Sequence, residues 1–153
     1  MTVLESLRRC LLFKDFTDTG LQIFAAVARE RAVPAGTPLF VEGMVGESLF
    51  IVRSGTVRLA HKVSGAERPL GTAGAGDHLG ALSLLAPSHR ACSAVAESAC
   101  ELLELQQADF ARLGPQKPQA CLKLALAIAA DLARRMADAR EPLREALERP
   151  PRG

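Results

Sequence analysis

From Arg31 onward, glycine recurs at the ends of short extended runs, and this punctuation constrains the fold more than any other feature. Ala32-Val33 precedes Pro34-Ala35-Gly36, Leu39-Phe40-Val41 precedes Glu42-Gly43, and Leu49-Phe50-Ile51-Val52 precedes Arg53-Ser54-Gly55. Thr56 to Ala60 alternates cleanly before a Ser64-Gly65 turn, and Cys100 to Leu105 is a last alternating run. Short runs of this kind, each closed by a turn residue, indicate many antiparallel strands at roughly ten-residue spacing, the pattern of a sandwich or barrel.

The flanks carry a different period. Leu4, Leu7, Leu11 and Leu12 recur at helical spacing, and Phe13 to Phe16 reads as a closing turn. Thr19, with Gln22 three residues on, predicts a capped second helix through Arg29, with Leu21, Phe24, Ala25, Val27 and Ala28 as its apolar face. After the last strand, Ala108-Asp109-Phe110 starts a short helical turn that Gly114-Pro115 is expected to end. Pro118 then suits the start of a helix running to about Arg140.

That helix carries two apolar stripes. Leu122, Ala125, Ala129, Leu132, Met136 and Ala139 form one, and Leu124 and Ile128 mark the other. Two stripes suggest that one face covers the barrel and the other meets a partner helix; a single wide core face is the alternative. Pro142 predicts a kink or a break, since a proline in a straight helix costs ~3 kcal/mol. Leu143 to Leu147 would form a brief extension, and the Pro-Pro-Arg-Gly end is expected to fray.

Composition narrows the function classes. With 153 residues, 48% hydrophobic and 24% charged, the chain has the make-up of one globular domain. A net charge of +2 provides no broad basic surface for nucleic acid. Cys10, Cys92, Cys100 and Cys121 contain no Cys-x-x-Cys pair, and their apolar neighbours predict buried thiols in a reducing compartment. No apolar run is long enough to span a membrane and no signal segment opens the chain, so a cytoplasmic protein is expected.

One stretch invites chemistry: Gly80-Ala81-Leu82-Ser83-Leu84-Leu85-Ala86-Pro87-Ser88-His89-Arg90-Ala91-Cys92-Ser93-Ala94-Val95. A glycine permits close backbone approach, a short helix from Ala81 to Leu85 offers free N–H groups, and an arginine adds a charged fork suited to phosphate. Read alone, this signal is modest.

The stretch resembles the phosphate-binding cassette of the cyclic-nucleotide-binding domain family, roughly Phe-Gly-Glu-Leu-Ala-Leu, a spacer, then Arg-Ala-x-Thr-Val. Leu79 to Leu84 corresponds to the first part and Arg90 to Ser93 to the second. Pro34-x-Gly36, Glu42-Gly43, Gly55 and Gly76-Asp77 also stand in the family's register. The resemblance covers residues ~10 to ~140 as a domain of ordinary size. It implies a mainly β fold with flanking helices: an antiparallel β-roll, a double-stranded jelly-roll-like barrel, with N-terminal helices and a long C-terminal helix. The expected divisions are 1–30 for the N-terminal helices, 31–106 for the roll with its cassette at 80–95, and 107–149 for the C-terminal helices.

The resemblance also implies a ligand site made of Gly80, Ala81, Leu82, Ser83, Arg90, Ala91 and Ser93. Arg90 would pair with a cyclic phosphate, the Leu82 and Ser83 N–H groups would complete an anion nest, and Ser93 would shape the following strand. Ala91, where a hydroxyl residue favours guanine in eukaryotic members, leans towards adenine. The base would lie near Leu124 to Ile128. One departure matters: the family's glutamate, which holds the ribose 2′-hydroxyl, is Ala81 here. Losing a charged acceptor weakens binding roughly ten- to a hundred-fold. Two readings stay open. Either the domain senses a cyclic nucleotide (cyclic AMP favoured) or another phosphorylated small molecule, weakly, or the pocket is vestigial and the domain works by protein contact.

No cofactor, metal or catalytic residue is expected. His61, His78 and His89 are spread out without metal-ligand spacing, Asp77 belongs to a turn, and Glu97, Glu101 and Glu104 read as exposed charges. About a dozen residues follow Arg140, too few for a DNA-reading helix-turn-helix. Output would then pass through a homodimer formed by the C-terminal helix, or through a separate protein partner.

Overall fold

Leu49, Phe50, Ile51 and Val52 are all buried, although successive strand residues point to opposite faces. The strand carrying them, β4 (Ser48–Ser54), therefore lies between two apolar masses, and the fold is built around it. Leu49 and Ile51 pack into a core shared with Leu7, Phe13, Leu21, Phe24, Leu84, Leu103, Leu124 and Ile128. Phe50 and Val52 face a second core, inside the roll, with Val57, Leu79, Ala94, Ala96 and Leu102.

The computed structural model describes residues 1–149; the Pro-Pro-Arg-Gly end, expected to fray, lies outside them. Ten strands appear among the described residues: β1 (Arg29–Val33), β2 (Pro38–Phe40), β3 (Val45–Gly46), β4, β5 (Val57–Val63), β6 (Ala66–Ala73), β7 (His78–Leu79), β8 (Ser88–His89), β9 (Ser93–Ala96) and β10 (Cys100–Gln106). They pair antiparallel in the orders β1-β10-β4-β7, β2-β9-β5-β6 and β3-β8. The helices are α1 (Val3–Arg9), α2 (Asp18–Ala25), α3 (Leu82–Leu85), α4 (Gln107–Gln116), α5 (Pro118–Asp138) and α6 (Arg140–Glu148), with a 3-10 turn at Leu11–Phe13. This is the expected antiparallel β-roll with flanking helices and a long C-terminal helix. β6 is an edge strand that pairs only with β5, and Glu67, Arg68 and Pro69 discourage further pairing there.

Local chemistry sets the helix ends. Thr2 and Glu5 form a reciprocal capping box on α1. α2 starts two residues before the expected Thr19 cap, because the Thr17 hydroxyl accepts the Gly20 N–H at 3.2 Å. It also ends at Ala25 and not Arg29, which pairs with Glu104 as the first residue of β1. Gly114-Pro115 does not stop α4, which continues to Gln116. Pro115 lacks a donor only in the last turn, and the Lys117 N–H still reaches the Leu113 carbonyl at 2.7 Å. Pro142 interrupts the C-terminal helix as expected. Its ring conflicts with the carbonyl four residues earlier, that of Asp138, where α5 ends.

Two expectations about burial are corrected. Cys10, Cys100 and Cys121 are buried free thiols, but Cys92 is only half-buried because it turns towards the cavity beside Arg90. Burial pushes the Cys10 thiol up to about 12. Glu104 is buried and not exposed, since it shares with Leu102 the face of β10 turned into the roll and stands opposite Phe50, and Arg31 Nη1 reaches its carboxylate at 3.3 Å.

Gly55 closes the β4–β5 turn at φ +86°. A Cβ there would lie 2.4 Å from the Ala99 carbonyl oxygen and 2.7 Å from the Cys100 sulfur. Gly55→Ala is therefore expected to cost about 2 kcal/mol or more, from the left-handed backbone plus overlap with a main-chain atom. Urea denaturation would measure it, and an unchanged midpoint would contradict this account of the turn.

Candidate functional site

Arg90 follows β8, and its backbone is tied to the loop between β2 and β3. Its N–H donates to the Met44 carbonyl at 2.7 Å, and its carbonyl accepts from Gly43 at 2.9 Å. Pairing of β3 with β8 sets Gly46 opposite Ser88, which brings a residue without a side chain alongside the arginine. The guanidinium occupies the space that side chains at Gly46 and Gly80 would fill. A Cβ on Gly46 would lie 2.0 Å from Arg90 Nε, and one on Gly80 would lie 2.0 Å from Nη1. Gly80 also holds φ +75°, so the turn into α3 and the slot for the cation share one requirement.

Arg90 is 7% exposed. Nη2 donates to the Ser48 carbonyl at 3.0 Å, and the group lies over the Phe40 ring at 4.3 Å from its centroid. Nε and Nη1 have no partner; among the described residues they are the buried side-chain nitrogen or oxygen atoms left without one. Burial draws the guanidinium pKa down from its ordinary value, yet arginine stays charged near neutrality. A buried cation with two unmet donors is costly unless an anion meets it.

A cavity of about 260 Å³ opens in front of it. Gly80, Ala81, Leu82, Ser83, Arg90 and Ala91 line this space. Ser93 does not; its hydroxyl accepts the Glu42 N–H at 2.9 Å and holds the start of β9. The Ser83 N–H closes a turn onto the Gly80 carbonyl at 3.0 Å, leaving Leu82 as the other amide that the sequence nominated. The side chain at Ala81 adds no polar atom.

The opposite wall is α5, one turn beyond the expected place. Leu124 is fully buried in the helix-side core, and Ile128, Asp131, Leu132 and Arg135 line the cavity. Leu132, expected on the partner stripe, is thus half-buried beside the site, while Leu122, Leu126 and Met136 are exposed. Sequence reasoning missed the pair formed by His78 and Asp131. His78 Nε2 lies 3.5 Å from Asp131 Oδ2, and Arg134 and Arg135 hold the same carboxylate at 3.1 and 2.9 Å. Position alone hinted at His78, which stands two residues before Gly80. His89 is exposed on β8, and His61, on β5, pairs with Glu42.

The family model for the cyclic nucleotide-binding domain matches residues 30–116, more than half of the chain. The chain belongs to the cyclic nucleotide-binding domain family. It is 36% identical over 129 residues to the cyclic AMP receptor protein of Thermus thermophilus, covering 84% of this chain and 58% of that protein. The chain therefore spans little more than half the length of that relative. The N-terminal domain of a transcriptional regulator from Streptomyces coelicolor superposes with a TM-score of 0.78 at 31% identity, covering 88% of this chain and 94% of that one. The regulatory domain of Toxoplasma gondii PKA, solved with cAMP, gives a TM-score of 0.66 at 34% identity over 72% of this chain and 42% of that one. The described residues contain no helix long and apolar enough to cross a membrane.

The His78 imidazole is held below its ordinary pKa of 6.5, chiefly by burial, with Asp131 opposing the shift. The unfolded chain takes up a proton near pH ~6.5 that the folded domain refuses. This contribution to stability is therefore full above that pH and is lost as pH falls below it. Urea denaturation from about pH 8 to about pH 5 should show the decline, and His78→Gln should flatten it. An unchanged slope in the variant would remove His78 as its source.

Proposed function

We propose that this domain is a regulatory sensor of a cyclic nucleotide, with cyclic AMP favoured, acting in the cytoplasm through dimer or partner contacts and not by catalysis. One observation carries the reading: Arg90, a buried guanidinium with two nitrogens left without partners, lines a cavity walled by the cassette. A cyclic phosphate is a compact anion with oxygens to meet them. The cyclic AMP receptor protein of Thermus thermophilus and the cAMP-bound Toxoplasma gondii domain support cyclic AMP, and the absence of a hydroxyl at Ala91 points the same way.

Calorimetry with cyclic AMP tests the site. Binding by the unaltered protein should be weak, with a dissociation constant on the order of 100 μM, because Ala81 lacks an acceptor. Arg90→Ala should abolish binding. Gly46→Ala should weaken it strongly while the domain stays folded, since the obstructing atoms belong to a flexible side chain. Ala81→Glu should tighten binding about tenfold or more. Should neither Ala81→Glu nor Arg90→Ala change the titration, the pocket is vestigial and the domain is a ligand-independent interaction module.

The output surface is proposed to be α5. Leu122, Leu126, Ala129, Ala133 and Met136 are exposed at alternating four- and three-residue steps, which forms a seam suited to a second copy. Light scattering at tens of micromolar should give a dimer, and Leu126→Asp with Met136→Asp should give folded monomers. A monomer for the unaltered chain would overturn this assembly.

A further inference from the structure

Glu104 is a buried carboxylate on the strand behind the site; it does not line the cavity. Charged side chains are rarely buried unless something pairs with them. The charged partner of Glu104 lies towards solvent. Arg31, whose side chain is 52% exposed, reaches Oε1 at 3.3 Å, and Gln106 Nε2 approaches the same oxygen at 3.4 Å. Strand register carries the acid towards Arg90. Glu104 stands opposite Phe50, and Gln106 stands opposite Ser48. Phe50 stacks on Phe40, and the Arg90 guanidinium carbon lies 6.0 and 4.3 Å from the centroids of the two rings. The Ser48 carbonyl accepts from Arg90 Nη2. Two residues of β4, Ser48 and Phe50, thus link this end of β10 to the guanidinium. Charges in such apolar surroundings act on one another more strongly than at the surface. Burial lowers the Arg90 pKa, and the negative groups within reach that oppose the shift are Cys92, in its thiolate form, and Glu104.

Resting on the nucleotide reading above, we infer that Glu104 is a specificity-determining residue that touches no ligand: its charge behind Arg90 fits the site to a singly charged phosphodiester and against a doubly charged phosphate monoester. Arg90 and Glu104 together are neutral, so a second negative charge on the ligand finds no cation of its own. Arg135, the other arginine lining the cavity, is already held by Asp131 at 2.9 Å. A cyclic phosphate carries one charge, whereas a terminal phosphate carries about 1.5 to 2 near pH 7. Repulsion from Glu104 scales with ligand charge, so it opposes the monoester about twice as strongly. The acid thereby separates a cyclic nucleotide from the ring-opened product of its hydrolysis.

Calorimetry near pH 7 with cyclic AMP, AMP and adenosine reads this out. Glu104→Gln, which keeps the shape and removes the charge, should tighten cyclic AMP about threefold and AMP about tenfold, because the repulsion removed scales with ligand charge. Adenosine, which carries no phosphate, should not change. Glu104→Asp keeps the charge and should keep the unaltered ratio of cyclic AMP to AMP. Thermal unfolding establishes that both variants are folded. Equal factors for cyclic AMP and AMP, no change, or weaker binding in Glu104→Gln would make Glu104 a structural acid and overturn the inference, with the Arg90 site intact. If neither the unaltered protein nor Glu104→Gln binds cyclic AMP or AMP at millimolar concentration, the nucleotide reading falls and this inference falls with it.

Discussion

The domain buries a guanidinium without giving it enough partners, and much of its local architecture follows from that. Two positions must lack a Cβ for Arg90 to fit, a phenylalanine ring must lie beneath it, and one carbonyl must turn inward to accept from Nη2. Met44 and Gly43 hold its backbone from a separate loop, which fixes the point from which the side chain enters its slot. Desolvating a charge costs several kcal/mol per ion in real proteins. A domain whose cores are otherwise apolar keeps this expense at the mouth of a cavity, where a ligand could relieve it.

The two cores divide the labour. The helix-side core, built on Leu49, Ile51, Leu103 and Leu124, fixes α5 against the roll. The inner core, built on Phe50, Val52 and Leu102, fixes the strands that carry the cassette. Arg53 links the N-terminal helices to the same strand, donating from Nε to the Ser6 hydroxyl at 3.0 Å. The cavity lies where these bodies meet, so its shape depends on their relative placement as well as on its lining.

Much of this was legible in the sequence, for identifiable reasons. Gly55 and Gly80 announce turns because few other residues accept their backbone angles, and the alternation in Thr56 to Ala60 and Cys100 to Leu105 reports strand faces directly. Pro142 marked the break after α5 because its steric conflict is local. Boundaries were less legible. Thr17 and Thr19 are both plausible caps, and the choice depends on the packing of Phe13, Phe16 and Phe24, which no local pattern reveals. Glu104 looked exposed because strand alternation gives two faces but does not show that both faces of β10 meet a core. The pairing of His78 with Asp131 joins residues far apart in the chain and conforms to no motif. Leu132, on the expected partner stripe, lies half-buried beside the cavity, because a helical stripe gives the spacing of apolar residues but not which stripe points inward.

The arrangement of α5 has a mechanical consequence. The helix is anchored near Leu124, meets the cavity at Asp131, and ends at Asp138 in a proline-induced break. From Leu124 to Asp138 the rise is about 21 Å, so a tilt of about 5° at the anchor moves the far end by about 2 Å. Beyond the break, α6 buries none of its residues against the roll. A shift of about 1 Å at Asp131, roughly 10 Å from the anchor, is thus doubled along a stiff rod and reaches a segment the roll does not restrain.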